Sequence, residues 1–178
     1  MADKLIFAQT FEGLLRALGP RLDARMADEL RKAGIDPAAE LKPAYPLSVF
    51  QQMIRLVGEA VAPDQPADAQ TFAAGRAFMD GYAQTMVGRA MLGMMRVIGP
   101  RRSLERLSRQ FRTGNNFSET TLRELGDGEY ELWVNQVSLP GFYRGIITAG
   151  LERAGAKDVT VDLATHADTA ATFRIRWK

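Results

Sequence analysis

From residue 116 onward the apolar positions recur with a period of two; before residue 112 they recur with a period near 3.6. Asn116–Leu125 and Tyr130–Val137 flank Gly126-Asp127-Gly128 and predict a hairpin. Pro140–Ala154 reads as a helix opened by proline. Asp158–Leu163 and Thr172–Trp177 then flank a polar turn at Ala164–Ala171. In this second hairpin Val159, Val161 and Leu163 alternate with Asp158, Thr160 and Asp162, and Phe173, Ile175 and Trp177 with Arg174 and Arg176. That pattern predicts an apolar core face and an outer face on which acids meet arginines across strands. The order strand, strand, helix, strand, strand predicts a four-stranded antiparallel sheet whose apolar face needs further helices to cover it.

The upstream sequence supplies those helices. Lys4–Ala8 is a short strand or the lead-in to a first helix, which Thr10 would cap before Phe11, Leu14, Leu15 and Leu18. Gly19-Pro20 stops it. A second helix over Arg21–Ala33 ends at Gly34, a loop spans Ile35–Ala44, and Pro46 opens a third helix reaching Ala60. Ala69–Ile98 forms one helix or two broken near Gly81, with Gly75, Gly81, Gly88 and Gly93 among large apolar residues. Each glycine costs a helix interior about 1 kcal/mol against alanine, so close packing or a cavity is expected to offset it. Gly99-Pro100 ends this segment, and Arg101–Arg112 forms one more helix. The expected fold class is α+β: one domain over 1–178, with a mainly helical part (1–112) packed on a ββαββ sheet (113–178).

Composition narrows the chemistry. With 178 residues, 46% hydrophobic and 25% charged, the chain is long enough for a substantial core. Lysine and arginine are offset almost one for one by acids, giving a net charge of +2, so nucleic acid is not an expected partner. There is no cysteine, which excludes disulfides, thiolate metal sites and cysteine nucleophiles. No window approaches the roughly 18 apolar residues of a membrane span, and the opening Met1-Ala-Asp-Lys-Leu-Ile-Phe lacks the character of a leader. A cytoplasmic chain is expected.

Catalytic constellations are not evident. The single histidine, His166, falls in the polar turn Ala164–Ala171, where it is expected to be solvated rather than a metal ligand or base. Neither a glycine-rich dinucleotide fingerprint nor a phosphate loop occurs. Two non-catalytic features remain. Phe72, Phe78, Tyr82, Met86 and Met91 are the expected lining of an apolar pocket, because thioethers conform to irregular ligands. Arg102 and Arg106 share a helical face with Arg109 and are the expected contact for an anionic group.

Several of these segments are similar to a myxobacterial family of paralogous proteins of unknown function. They are Phe11-Glu12-Gly13-Leu14, Gly75–Tyr82 followed by Thr85 and Gly88, Gly99-Pro100-Arg101-Arg102 and Phe173–Trp177. More distantly, the part from Asn116 onward, with its small-residue helix Gly141–Gly155, resembles a superfamily of ligand-binding domains. It comprises the haem–nitric-oxide-binding domains, the 4-vinyl reductase domains and Bet3-type tethering subunits. That resemblance implies a pocket between helices and sheet. Haem binding there depends on a helix histidine and acyl attachment on a cysteine, and this chain has neither. No haem or other cofactor is therefore expected. The leading expectation is a non-enzymatic sensor or binding domain for a small apolar molecule or lipid. The alternatives are a homodimerising interaction module with a fully packed core and, third, a nucleotide or anion binder using the arginine helix.

Overall fold

The computed structural model describes residues 3–178; Met1 and Ala2, on which the expectations of a first domain bound and of no leader partly rest, lie outside the described residues. The chain runs β1 (Leu5–Phe7), α1 (Ala8–Leu18), a 3₁₀ turn (Gly19–Arg21), α2 (Ala24–Lys32), β2 (Ala44–Pro46), α3 (Leu47–Val61) and α4 (Ala67–Tyr82). It continues through α5 (Met86–Thr113), β3 (Thr120–Gly126), β4 (Glu129–Val134), α6 (Pro140–Arg153), β5 (Thr160–Ala167) and β6 (Ala170–Arg176). The last four strands form an antiparallel sheet in the order β3-β4-β6-β5. The α+β architecture and its ββαββ order are those read from the sequence. The small β1–β2 pair was not, because Tyr45 lies in a segment read as loop and helix start.

Local chemistry explains most boundaries. Asp23 caps α2 by accepting from the Met26 amide at 2.8 Å. Gly34, with φ +94°, and Gly155, with φ +96°, end α2 and α6 in matching turns. In each, the next residue's amide returns to a carbonyl five residues earlier, Ile35 to Leu30 and Ala156 to Leu151. Thr10 is not a cap: α1 begins at Ala8, so Thr10 lies inside it. The segment read as Ala69–Ile98 is two helices, broken over 83–85, where the Thr85 hydroxyl accepts from the Gly88 amide at 2.9 Å. Gly99, at φ 78° and ψ 174°, then kinks α5 between 86–98 and 100–113.

Helix α4 lies against both α1 and α6, and glycines permit the approach. A Cβ on Gly81 would collide with the Gly13 carbonyl of α1, and one on Gly75 with the Phe142 carbonyl of α6; Gly145 meets α4 in the same way from the other side. These glycines serve backbone contact rather than opening space. Gly93 faces open solvent and serves neither purpose.

A continuous apolar core joins the helices to the inner face of the sheet, with Phe11, Leu14, Met53, Ile54, Met79, Leu104, Ile147, Leu132, Phe173 and Ile175 fully enclosed. On the outer face Arg174 reaches Glu129 at 3.0 Å and Arg176 reaches Asp162 at 2.6 Å, the expected acid–arginine pairing. The second hairpin is longer than read, because β5 and β6 continue to Ala167 and Ala170. His166 therefore sits in an exposed edge strand rather than a turn, its Nε2 2.9 Å from the Val137 carbonyl. Leu163, expected in the core, is exposed beside a register shift between Leu163 and Thr165. No helix among the described residues is long and apolar enough to cross a membrane.

Candidate functional site

Aromatic side chains from α3, α4, α5 and α6 converge on one cavity. Phe50 meets Phe142 at 5.5 Å, Phe142 meets Phe78 at 5.7 Å, and Phe111 meets Tyr143 at 5.1 Å between ring centroids. Between the four helices these rings leave a remainder. The remainder is about 80 Å³, walled by Phe50, Phe78, Met79, Tyr82, Met91, Leu107, Phe111, Phe142, Tyr143 and Ile146. Gln9, Thr10, Gln110 and Asn115 add polar atoms on the side of α1 and the end of α5.

Two tyrosines add hydroxyls to this mainly apolar space. Tyr82 is only 4% exposed, its ring stacked on Phe78 at 5.5 Å, and its hydroxyl has no hydrogen-bond partner among the described residues. Burial raises its pKa, and the charge of Glu12 adds to the shift. The Tyr143 hydroxyl donates to the Gln136 carbonyl at 3.3 Å. Burial pushes its pKa up to about 12, against a small opposing effect of Ser118. Both groups are neutral phenols near pH 7. Neither is a base there, and each is able to donate one hydrogen bond.

The structure brings together Phe78, Tyr82 and Met91 of the residues read as lining. Phe72 lies elsewhere on α4, its ring under the Arg144 guanidinium at 5.6 Å. Met86 is a correction, because it is 80% exposed. In a continuous helix it would sit one turn above Tyr82, on the same face. The break over 83–85 resets the register, and Met91 rather than Met86 turns back to the cavity. Phe50, Phe111, Phe142 and Tyr143 were not read as lining. The only sequence signal for them was their place on apolar helix faces, which does not distinguish a cavity wall from a filled core.

Arg102 and Arg106 are exposed on the second half of α5. Among the described residues no acid lies within ion-pair distance of either, whereas Arg101 reaches Glu124 at 2.8 Å. They stand apart from the cavity wall. No cluster of three or more metal-ligating side chains occurs among the described residues.

A family model described as protein of unknown function (DUF2378) matches residues 4–178. The chain belongs to this family. No curated protein matches it in sequence. Solved structures do match in fold. One is an unliganded Fe(II) H-NOX protein from K. algicida, 12% identical, with TM-score 0.61 over 97% of each chain. A structure concerned with H-NOX activation is 10% identical, with TM-score 0.65 over 97% of this chain and 96% of that one. Another, concerned with heme distortion in the H-NOX family, is 9% identical, with TM-score 0.66 over 97% and 95%. At such identities the likeness is one of fold. It agrees with the distant superfamily resemblance seen from Asn116 onward and extends it through the helical part of the family fold.

Proposed function

We propose that this member of the family is a small-molecule-binding sensor domain, and that its ligand is a compact, mainly apolar molecule carrying one hydrogen-bond acceptor. The observation that carries this reading is the unpartnered, buried hydroxyl of Tyr82, a residue on the wall of a mainly apolar cavity. A buried donor left unpaired costs roughly 1–3 kcal/mol. A ligand acceptor that meets it recovers that cost. The cavity wall presents no carboxylate, histidine or lysine, so general acid–base chemistry near pH 7 has no agent there and binding is favoured over turnover.

The structural neighbours include an Fe(II) H-NOX protein and one studied for heme distortion. This chain's residues do not fit that group. The one histidine lies on the exposed strand β5 and not on a helix at the cavity. The space of about 80 Å³ is roughly half of the 150 Å³ that accommodates benzene, and a porphyrin does not fit within it. The ligand class that fits is a molecule of about three to five heavy atoms, such as a short ketone or aldehyde.

The test is native and then denaturing mass spectrometry of the purified protein, with an absorption spectrum, before and after incubation with excess hemin and desalting. The expected result is no Soret band at stoichiometric intensity and, where a mass is released, a small molecule of this class. Retention of one hemin per chain would overturn the proposed ligand class.

A further inference from the structure

The first half of α5 carries a second apolar stripe, on the side away from the core. Met86 (80%), Val87 (51%), Met94 (40%) and Val97 (84%) are four of the six large apolar side chains that are exposed among the described residues. At about 100° per residue they fall, with exposed Ala90, inside an arc of about 100°. Gly88, Leu92 and Met95 are buried on the opposite side. The stripe is an exposed ridge along the helix, with Arg89 and Arg96 along one edge. Beyond the Gly99 kink, Arg102, Arg106 and Arg109 project away from buried Ser103, Leu104 and Leu107. The whole helix holds seven arginines and a single acid, Glu105.

Charge and shape select the occupant. A second copy would bring Arg89 and Arg96 against the same arginines in a two-fold pair, and like charges at close range disfavour that contact. A protein partner needs a groove shaped to the ridge and about 800 Å² buried on each side, more than five side chains of one short helix supply. A fluid, anionic surface needs no preformed groove. It accepts methionine and valine at the acyl boundary while arginines reach its head groups. We infer that Met86–Val97, with Arg89 and Arg96 along its edge, is a peripheral docking face for anionic lipid membranes. The inference rests on the outer surface of α5 and is independent of the cavity reading.

Co-sedimentation of the full chain with phosphatidylcholine vesicles, with and without phosphatidylserine, tests it. Partitioning is expected to rise at least about tenfold with phosphatidylserine and to fall as salt is raised. Met86→Ser with Val97→Ser, both outside the core, should lower it by about tenfold or more without changing the thermal midpoint. Arg89→Glu with Arg96→Glu should lower it similarly. No preference for anionic vesicles would overturn the inference. So would binding untouched by the serine pair, which would reduce the effect to adsorption by arginine. A concentration-dependent dimer dissolved by the serine pair, or an acidic helical peptide captured where vesicles are not, would assign the face to a protein instead.

Discussion

Replacing Tyr82 by phenylalanine should make the ligand-free protein more stable. The ring stays, and so does its stacking on Phe78 at 5.5 Å. What leaves is one hydroxyl that is buried and unpaired. A donor in that position costs roughly 1–3 kcal/mol, and its removal leaves no new orphan because no neighbour was bonded to it. A gain of about 1–2 kcal/mol is expected. For a chain of 178 residues each kcal/mol moves the midpoint by roughly 2–4 °C, so the rise should be about 2–8 °C. Urea and thermal unfolding followed by circular dichroism, on protein stripped of small molecules, measures it. Tyr143→Phe is the matched contrast, since its hydroxyl donates to the Gln136 carbonyl and the same change there should cost about 1 kcal/mol. A loss of 1 kcal/mol or more in Tyr82→Phe would refute the reasoning, because it would mean that the hydroxyl is held by a bond.

Other consequences follow from the packing and the titrating groups. Gly75→Ala should destabilise by about 3 kcal/mol or more, because its Cβ would run into the Phe142 carbonyl and neither backbone can yield cheaply. Gly93→Ala faces open space in a helix and should instead stabilise by about 0.5–1 kcal/mol; calorimetry on the two variants reads both signs. Tyr143, held up to about 12 in the fold against an ordinary 10, binds its proton more tightly in the native state. Its contribution is therefore complete below pH 10 and is lost as the pH rises through 12. Between pH 8 and 11 the wild type should lose about 1.4 kcal/mol more than Tyr143→Phe in denaturant titrations. Equal losses would remove the group from the account. Met91→Trp, which fills the cavity wall from α5, should abolish binding of short ketones while the fold persists, as ligand-observed magnetic resonance would show.

The sheet was legible because its information is local. Gly126-Asp127-Gly128 marks one hairpin, and strict alternation in Thr172–Trp177 marks the last strand. The second turn was misplaced because Thr165, His166 and Ala167 carry no apolar alternation; they belong to an edge strand that faces solvent, where pairing with Thr172, Ala171 and Ala170 rather than burial holds them. The break between α4 and α5 was visible only as a choice. Gly81 looks like the breaker, yet it lies inside α4 against Gly13, and the turn falls on Ala83, Gln84 and Thr85. That displacement is what exposed Met86. The cavity itself depends on how Phe50, Phe111, Phe142 and Tyr143 meet from three helices far apart in sequence, and no single-helix pattern encodes such a remainder.

The most direct measurement is a methyl-resonance titration of methionine-labelled protein with butanone and with butane, in the wild type and in Tyr82→Phe. Met79 and Met91 report from the cavity wall, and exposed Met86 and Met94 serve as internal controls. The account predicts saturable shifts confined to Met79 and Met91, tighter binding of the ketone than of the hydrocarbon by about five- to tenfold, and loss of that preference in Tyr82→Phe. Shifts that fail to saturate, that appear equally at Met86 and Met94, or a ketone preference that survives Tyr82→Phe would contradict it.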